Sequence, residues 1–341
     1  MEKIRFHRSL ILNVIVGCVS MALVGCAASE KSMIDSGTYE SVFQKHSPKA
    51  RGKTAPMFSE EMSSPVAVPK ISSDAHEWSA DVYFREGKLE MAFMEYNKSL
   101  EFDPDNERVH YKRGLVFLAG GLNEEAMADF EKVLTLDPEH ALAHMGLGQV
   151  FFQKEKYQKA EVQFRKAIEL DSKFWKSHNF LGIIHDYRGE HGLAALQYLA
   201  AISLKPDSGL LYNNLGISYY LCGDFEKSVQ AFHEALELDP SHSKIFNNLG
   251  LALSKAGRMA EAFEAFRKGG SEAQAHNNVG CVYAWHGDSE KAIRSFEKAI
   301  EAKPAFYTEA DENLRKCQTG DKGPSHPNGE SSFDVTIPKV N

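Results

Sequence analysis

Cysteine is scarce in this chain, with five in 341 residues, and two of those, Cys18 and Cys26, fall close to the N-terminus. So sparse a set excludes a disulfide scaffold, which needs a dense set of cysteines in a short chain. A basic excess is lacking as well. Thirty-nine lysines and arginines face forty-seven acids, for a net charge of -8. A nucleic-acid partner, which calls for a basic stripe, is not expected. The chain has no H-E-x-x-H, G-x-S-x-G or P-loop pattern, the signatures of zinc protease, serine hydrolase and nucleotide chemistry. Histidines are present, but His140 and His144 straddle a turn, and His185 and His191 flank a loop around Gly189. The first pair lacks a carboxylate partner motif, and neither pair is expected to serve a metal or catalytic site. The expectation is a protein that is no enzyme and takes no cofactor, metal or small-molecule substrate. Long apolar runs are also rare. The one that stands out, residues 10–25, is short for a membrane span.

What is present is patterned. Lys3, Arg5 and Arg8 precede that apolar run, which ends in Leu23-Val24-Gly25-Cys26. A charged region followed by a short apolar one reads as an export signal. The final four residues resemble the lipobox of bacterial lipoproteins. That resemblance implies cleavage after residue 25 and lipid attachment at Cys26, which would anchor the chain to a membrane. Ala27 follows where an aspartate would resemble an inner-membrane retention signal, so the outer membrane is expected, with the rest of the chain facing the periplasm. Residues 26–72 then read as the lipidated N-terminus and a flexible linker, with Pro48, Pro56, Pro65 and Pro69 among serines and lysines.

From Ser73 the sequence repeats. Gly114, Gly148, Gly182, Gly216 and Gly250 lie 34 residues apart, and Pro104, Pro138, Pro206 and Pro240 keep the same register. So do Ala92, Ala126, Ala160, Ala194, Ser228 and Ala262, each followed four residues later by an aromatic: Tyr96, Phe130, Phe164, Tyr198, Phe232 and Phe266. Small residues permit two helices to approach, the aromatic fills the space between them, and proline stops the second helix. Helical pairs of this kind bury their apolar faces by stacking on one another. The pattern is similar to the tetratricopeptide repeat (TPR), L-G-x₂-Y…A-x₃-F…P. The fold expected is an all-α superhelical solenoid, with seven repeats over 73–306, a capping helix at 307–317 and a disordered tail at 318–341. The sixth repeat is short: Gly250 and Gly280 are only 30 residues apart. Its second helix should end about a turn early at a glycine, either as a tolerated deletion or as a change of pitch that shapes a partner site.

The repeat resemblance implies a groove lined by positions two, five, nine, twelve and thirteen of each first helix. Position five holds Asn179, Asn213, Asn247 and Asn277 in consecutive repeats. An amide column of this kind can bond the backbone of an extended peptide. The same amides can instead bond neighbouring helices and fix the stacking. Tyr111, Leu118, Phe152, Tyr187, Tyr220 and Trp285 map to the apolar part of the groove. The basic-plus-asparagine pair that clamps acidic chaperone tails is missing. Cys222, Cys281 and Cys317 remain after processing, an odd number, so in an oxidising compartment at least one stays free or pairs outside the chain.

Over 73–317 the chain resembles bacterial tetratricopeptide lipoproteins. From Lys244 to Asn313, K-I-F-N-N-L-G-L-A-L, F-R-K-G-G-S-E-A-Q-A-H-N-N-V-G and F-E-K-A-I-E-A-K-P-A-F-Y are similar to the TadD family of tight-adherence (Flp) pilus systems. That resemblance implies an accessory factor that assembles or places the secretin of the pilus, with the secretin or another pilus-assembly component as protein partner. The alternative is another outer-membrane adaptor, such as a type IV pilus pilotin or a scaffold for cell-wall hydrolases.

Overall fold

The structure is a computed structural model that describes residues 72–302 and 308–319. The signal, Cys26, the linker and the chain beyond residue 319 lie outside the described residues. Every described element is a helix. α1 (Ser73–Arg85), α2 (Leu89–Phe102), α3 (Glu107–Ala119), α4 (Asn123–Leu136), α5 (Ala141–Gln153) and α6 (Tyr157–Leu170) belong to one compact unit. α7 (Trp175–Tyr187), α8 (His191–Leu204), α9 (Gly209–Cys222), α10 (Phe225–Leu238), α11 (Ser243–Lys255), α12 (Met259–Gly269), α13 (Glu272–Trp285), α14 (Ser289–Ala302) and α15 (Thr308–Thr319) belong to a second. Within each unit every helix packs on the next in sequence. No described helix is long and apolar enough to cross a membrane.

The glycine register explains the pairing. A Cβ on Gly148 would lie 2.6 Å from the Phe164 ring, and one on Gly216 would lie 2.7 Å from Phe232. Each aromatic is buried and occupies the space that a side chain on the glycine would need, so the two helices of a repeat meet with ring against backbone. The prolines act one step beyond the helix ends: α2, α4, α8 and α10 stop at Phe102, Leu136, Leu204 and Leu238, two residues before Pro104, Pro138, Pro206 and Pro240. The residue before a proline is pushed out of the helical region.

The turn inside each pair has its own rule. Gly87, Gly121, Gly189, Gly223, Gly257 and Gly287 have φ between 73° and 88°. At the equivalent turn of the third repeat stands Glu155, with φ 56°.

The sixth repeat is where the pattern bends. α12 has 11 residues and α10 has 14. Its last residue is Gly269, where a Cβ would sit 2.7 Å from Asn247 Oδ1 and 2.8 Å from the Ser243 carbonyl. Glycine therefore lets the end of α12 lie against the start of α11. The cap that follows, Gly270, has φ -157°, which is extended rather than left-handed. α13 then starts with a capping box: Gln274 N–H donates to Ser271 Oγ at 3.2 Å, and Ser271 N–H donates to Gln274 Oε1 at 2.9 Å. The G-G-S-E-A-Q phrase is a helix stop followed directly by a helix start.

Candidate protein-binding site

The asparagines of position five do not line an open groove. Asn179, Asn213 and Asn277 are buried, at 0 %, 3 % and 1 % exposure. Asn214 Nδ2 donates to Asn179 Oδ1 at 2.9 Å, and Asn248 Nδ2 donates to Asn213 Oδ1 at 3.0 Å. Position five of one repeat is thus bonded to position six of the next. At the end of the stack Asn313 Nδ2 donates to Asn277 Oδ1, and Asn277 Nδ2 to Glu309 Oε1, both at 3.1 Å. For Asn179, Asn213 and Asn277 the peptide-backbone role expected of this column is corrected here, because they are buried and bonded to neighbouring repeats, where each bond is costly to lose. Asn247 stands apart. With α12 cut short there is no rung from Asn247 to Asn278, and both residues are half-buried.

Between the first and second repeats the same positions are joined by charge. Glu77 at position five accepts from Lys112 Nζ at position six of the next repeat, at 2.7 Å. Arg108 Nε and Nη2 both reach the same carboxylate at 2.6 Å. Burial works to raise the Glu77 pKa, but the bonds and charges of Arg108 and Lys112 outweigh it and hold the carboxyl below its ordinary range. A second network, centred on Asp129, takes Arg113 in a fork at 2.7 and 2.8 Å and His110 Nδ1 at 2.8 Å.

A histidine series was missed in the sequence. His76, His110, His144 and His178 recur 34 residues apart. Each ring Nδ1 meets the second helix of its own repeat, at Glu95, Asp129, Gln163 and Gln197, over 2.6 to 2.9 Å. The signal was periodic and readable. The function is structural, since each imidazole ties the two helices of a pair. In the fourth repeat Asp186 is buried among three donors, His191 Nδ1 at 2.8 Å, Ser218 Oγ at 3.0 Å and Tyr198 OH at 3.0 Å. No group of three or more histidine, cysteine, aspartate or glutamate side chains among the described residues is placed to hold a metal ion.

The aromatics divide. Leu118 and Phe152 are buried, at 1 % and 4 %, and so belong to the core rather than to a groove. Phe152 packs edge-on against Tyr157 of its own partner helix at 5.3 Å. Tyr220 repeats that contact with Phe225 at 5.7 Å but stays half-buried; burial pushes its hydroxyl pKa up to about 12. Tyr187 is half-buried at the last residue of α7, and Trp285 is 43 % exposed at the last residue of α13. Lys255 Nζ lies 6.0 Å from the centre of the Trp285 ring, a cation–π distance. In the second unit Tyr187, Tyr220, Lys255 and Trp285 thus stand at or near the C-terminal ends of α7, α9, α11 and α13. A cavity of about 570 Å³ also opens between α10, α11 and α12, floored by Leu236, Phe246, Leu249 and Leu253.

The TPR repeat matches residues 80–121, and the tetratricopeptide repeat, in four forms, matches 111–173, 210–242, 243–269 and 273–306. Together these cover more than half of the chain, which belongs to the tetratricopeptide-repeat family and has its all-α superhelical solenoid fold. Proteins of this family are non-enzymatic interaction scaffolds, and so is this one. No curated protein matches the sequence. Solved structures do. A crystal structure of MamA is 30 % identical over 47 % of this chain and 94 % of its own, with a TM-score of 0.43. Pseudomonas aeruginosa pilF is 21 % identical over 63 % and 97 %, at 0.48. PilW, described as a widely conserved type IV pilus biogenesis factor, is 18 % identical over 57 % and 90 %, at 0.52. The likeness to PilW establishes a common fold.

Proposed function

We propose that this protein is a pilus-assembly adaptor of the type IV class, anchored in the outer membrane through a lipid on Cys26 and presenting its repeats to the periplasm. The fold it has in common with a type IV pilus biogenesis factor supports the class. The lipobox-like Leu23-Val24-Gly25-Cys26 supports the anchor. The observation that carries the binding role is that Tyr187, Tyr220 and Trp285 stand at or near the C-terminal ends of the first helices α7, α9 and α13, with Lys255, the last residue of the intervening α11, beside the indole. Trp285 is exposed and the two tyrosines are half-buried, and tyrosine and tryptophan, with an apolar face and a polar edge, are among the residues most often found at the energetic centre of interfaces. The partner this surface suits is an extended segment of a pilus secretin or another assembly component. The short sixth repeat, with its G-G-S-E-A-Q-A phrase, favours a second reading in which the system served is the tight-adherence (Flp) pilus.

The test is a pull-down with the full chain from cells expressing the pilus, with Trp285→Ala and Tyr220→Ala beside the wild type. Recovery of a pilus secretin by the wild type, reduced roughly tenfold or more by Trp285→Ala, is expected. Whether that secretin belongs to a type IV or a Flp system decides between the two readings. Recovery of cell-wall hydrolases in its place would transfer the adaptor to the cell wall, and equal recovery by all variants would move the binding site away from these aromatics.

A further inference from the structure

We propose that Cys281 and Cys317 are a disulfide pair that fastens the terminal helix α15 to α13. Both are free thiols in the structure. They lie in the same compact unit, on the two helices that the last asparagine rung joins. Asn277 meets Glu309 and Asn313 of α15, and Cys281, one turn further along α13, meets Asn313, whose Nδ2 is 3.7 Å from its Sγ. As the number rises on α13 it rises on α15, so the two helices run parallel. Cys317 is one turn beyond Asn313. Parallel register therefore sets Cys317 opposite Cys281, as Asn313 is set opposite Asn277. Packing agrees: Cys281, Ala292 and Phe296 form a buried cluster, and Cys317 packs against it together with Leu314. Cys222, exposed at the end of α9, is the odd thiol and shares none of these contacts.

The chemistry is exchange with an external disulfide, either a protein disulfide donor or oxidised glutathione. Cys317, the more accessible of the two, loses its proton to solvent and attacks one sulfur of the donor. A mixed disulfide forms and a thiolate leaves. Cys281, deprotonated in turn, attacks the Cys317 sulfur, and the second donor thiolate leaves. One disulfide has formed and one has been reduced, with two electrons passed to the donor. Burial pushes the Cys281 thiol up to about 12 and raises that of Cys317 as well, so the exchange is slow in the closed structure and proceeds when α15 loosens. That helix is suited to loosening, because it ends the described stack and a terminal element opens at the lowest free energy. The bond would convert the helix most prone to fray into a fixed cap.

The reduced full chain, incubated with oxidised glutathione at pH 8 and then alkylated, is digested with trypsin without reduction. The expected product is one species joining the peptide that carries Cys281 to the peptide that carries Cys317, lighter by two hydrogens than their sum. Cys222→Ser should leave it unchanged. Formation should accelerate between pH 7 and 9, and amide exchange in α15 should slow by roughly tenfold once the bond is made. Cys317→Ser, at a half-exposed position, should abolish both effects while leaving the helical content intact. Recovery of Cys281 and Cys317 as separately alkylated or glutathionylated peptides, or joined to Cys222, overturns the assignment.

Discussion

Glu155 carries a conformation that its neighbours in the register assign to glycine. At φ 56° its Cβ crowds the backbone, at about 1–2 kcal/mol for an L-residue. The six equivalent turns, which hold glycine, avoid that strain. Part of the gain from a glycine is lost because glycine also frees the unfolded chain. Glu155→Gly should therefore stabilise the first unit by about 0.5–1 kcal/mol, read as a rise in the denaturation midpoint at unchanged slope. A fall in the midpoint would mean that the Glu155 side chain makes contacts that offset the strain. The turn glycines were as periodic as the glycines of the helix crossing, and so was the histidine series. Both were readable from spacing alone. The partners of the histidines are less so, because Glu95, Asp129, Gln163 and Gln197 differ in chemistry while filling one geometric role.

Between helices, the same rule explains what sequence reading could and could not reach. Gly216 against Phe232 was legible because both ends of the contact recur at fixed positions. Asn179, Asn213, Asn247 and Asn277 were legible as a column, but their bonds join position five to position six of the following repeat. One position's periodicity does not reveal a partner in a different one. Leu118 and Phe152 were misplaced for a related reason: position twelve leans onto the facing helix of its own repeat, as Phe152 does onto Tyr157. The ladder makes a comparative prediction. Asn214→Ala removes the donor to Asn179 Oδ1 in a site where both residues are buried, and should cost about 1–3 kcal/mol. Asn247→Ala, at the repeat where the ladder is interrupted, should cost less than about 0.5 kcal/mol. Chemical denaturation of the two variants side by side measures the difference. Equal losses would show that the rungs contribute nothing beyond packing.

At the scale of the molecule, the two units carry different titrating groups and should answer acid in different windows. In the first, burial works to raise Glu77 and Glu95, but bonds from Arg108 and Lys112, and from Lys98 and His76, prevail and lower both below the ordinary 4.5. A carboxyl depressed on folding adds stability that is complete above its unfolded value and lost as pH falls through the folded one. The first unit should therefore hold until pH drops below about 4.5. In the second, His276 lies 4.7 Å from the Phe263 ring. Burial lowers its pKa from 6.5, the charge of Lys298 adds to that, and Glu272 opposes it more weakly. The neutral ring is the one the fold accepts. Below pH 6.5 the unfolded chain binds a proton that the folded chain resists, and stability in this unit declines as pH falls. Hydrogen exchange followed helix by helix between pH 7 and 4 should show α12 and α13 losing protection first, before α1 and α3. His276→Gln removes the titration while keeping a polar side chain, and should flatten the loss between pH 6.5 and 5 without altering the first unit. Glu77→Gln should weaken the first unit at pH 7 and leave the second untouched. Simultaneous loss of protection in both units, unchanged by His276→Gln, would overturn the assignment of the second unit's acid response to His276.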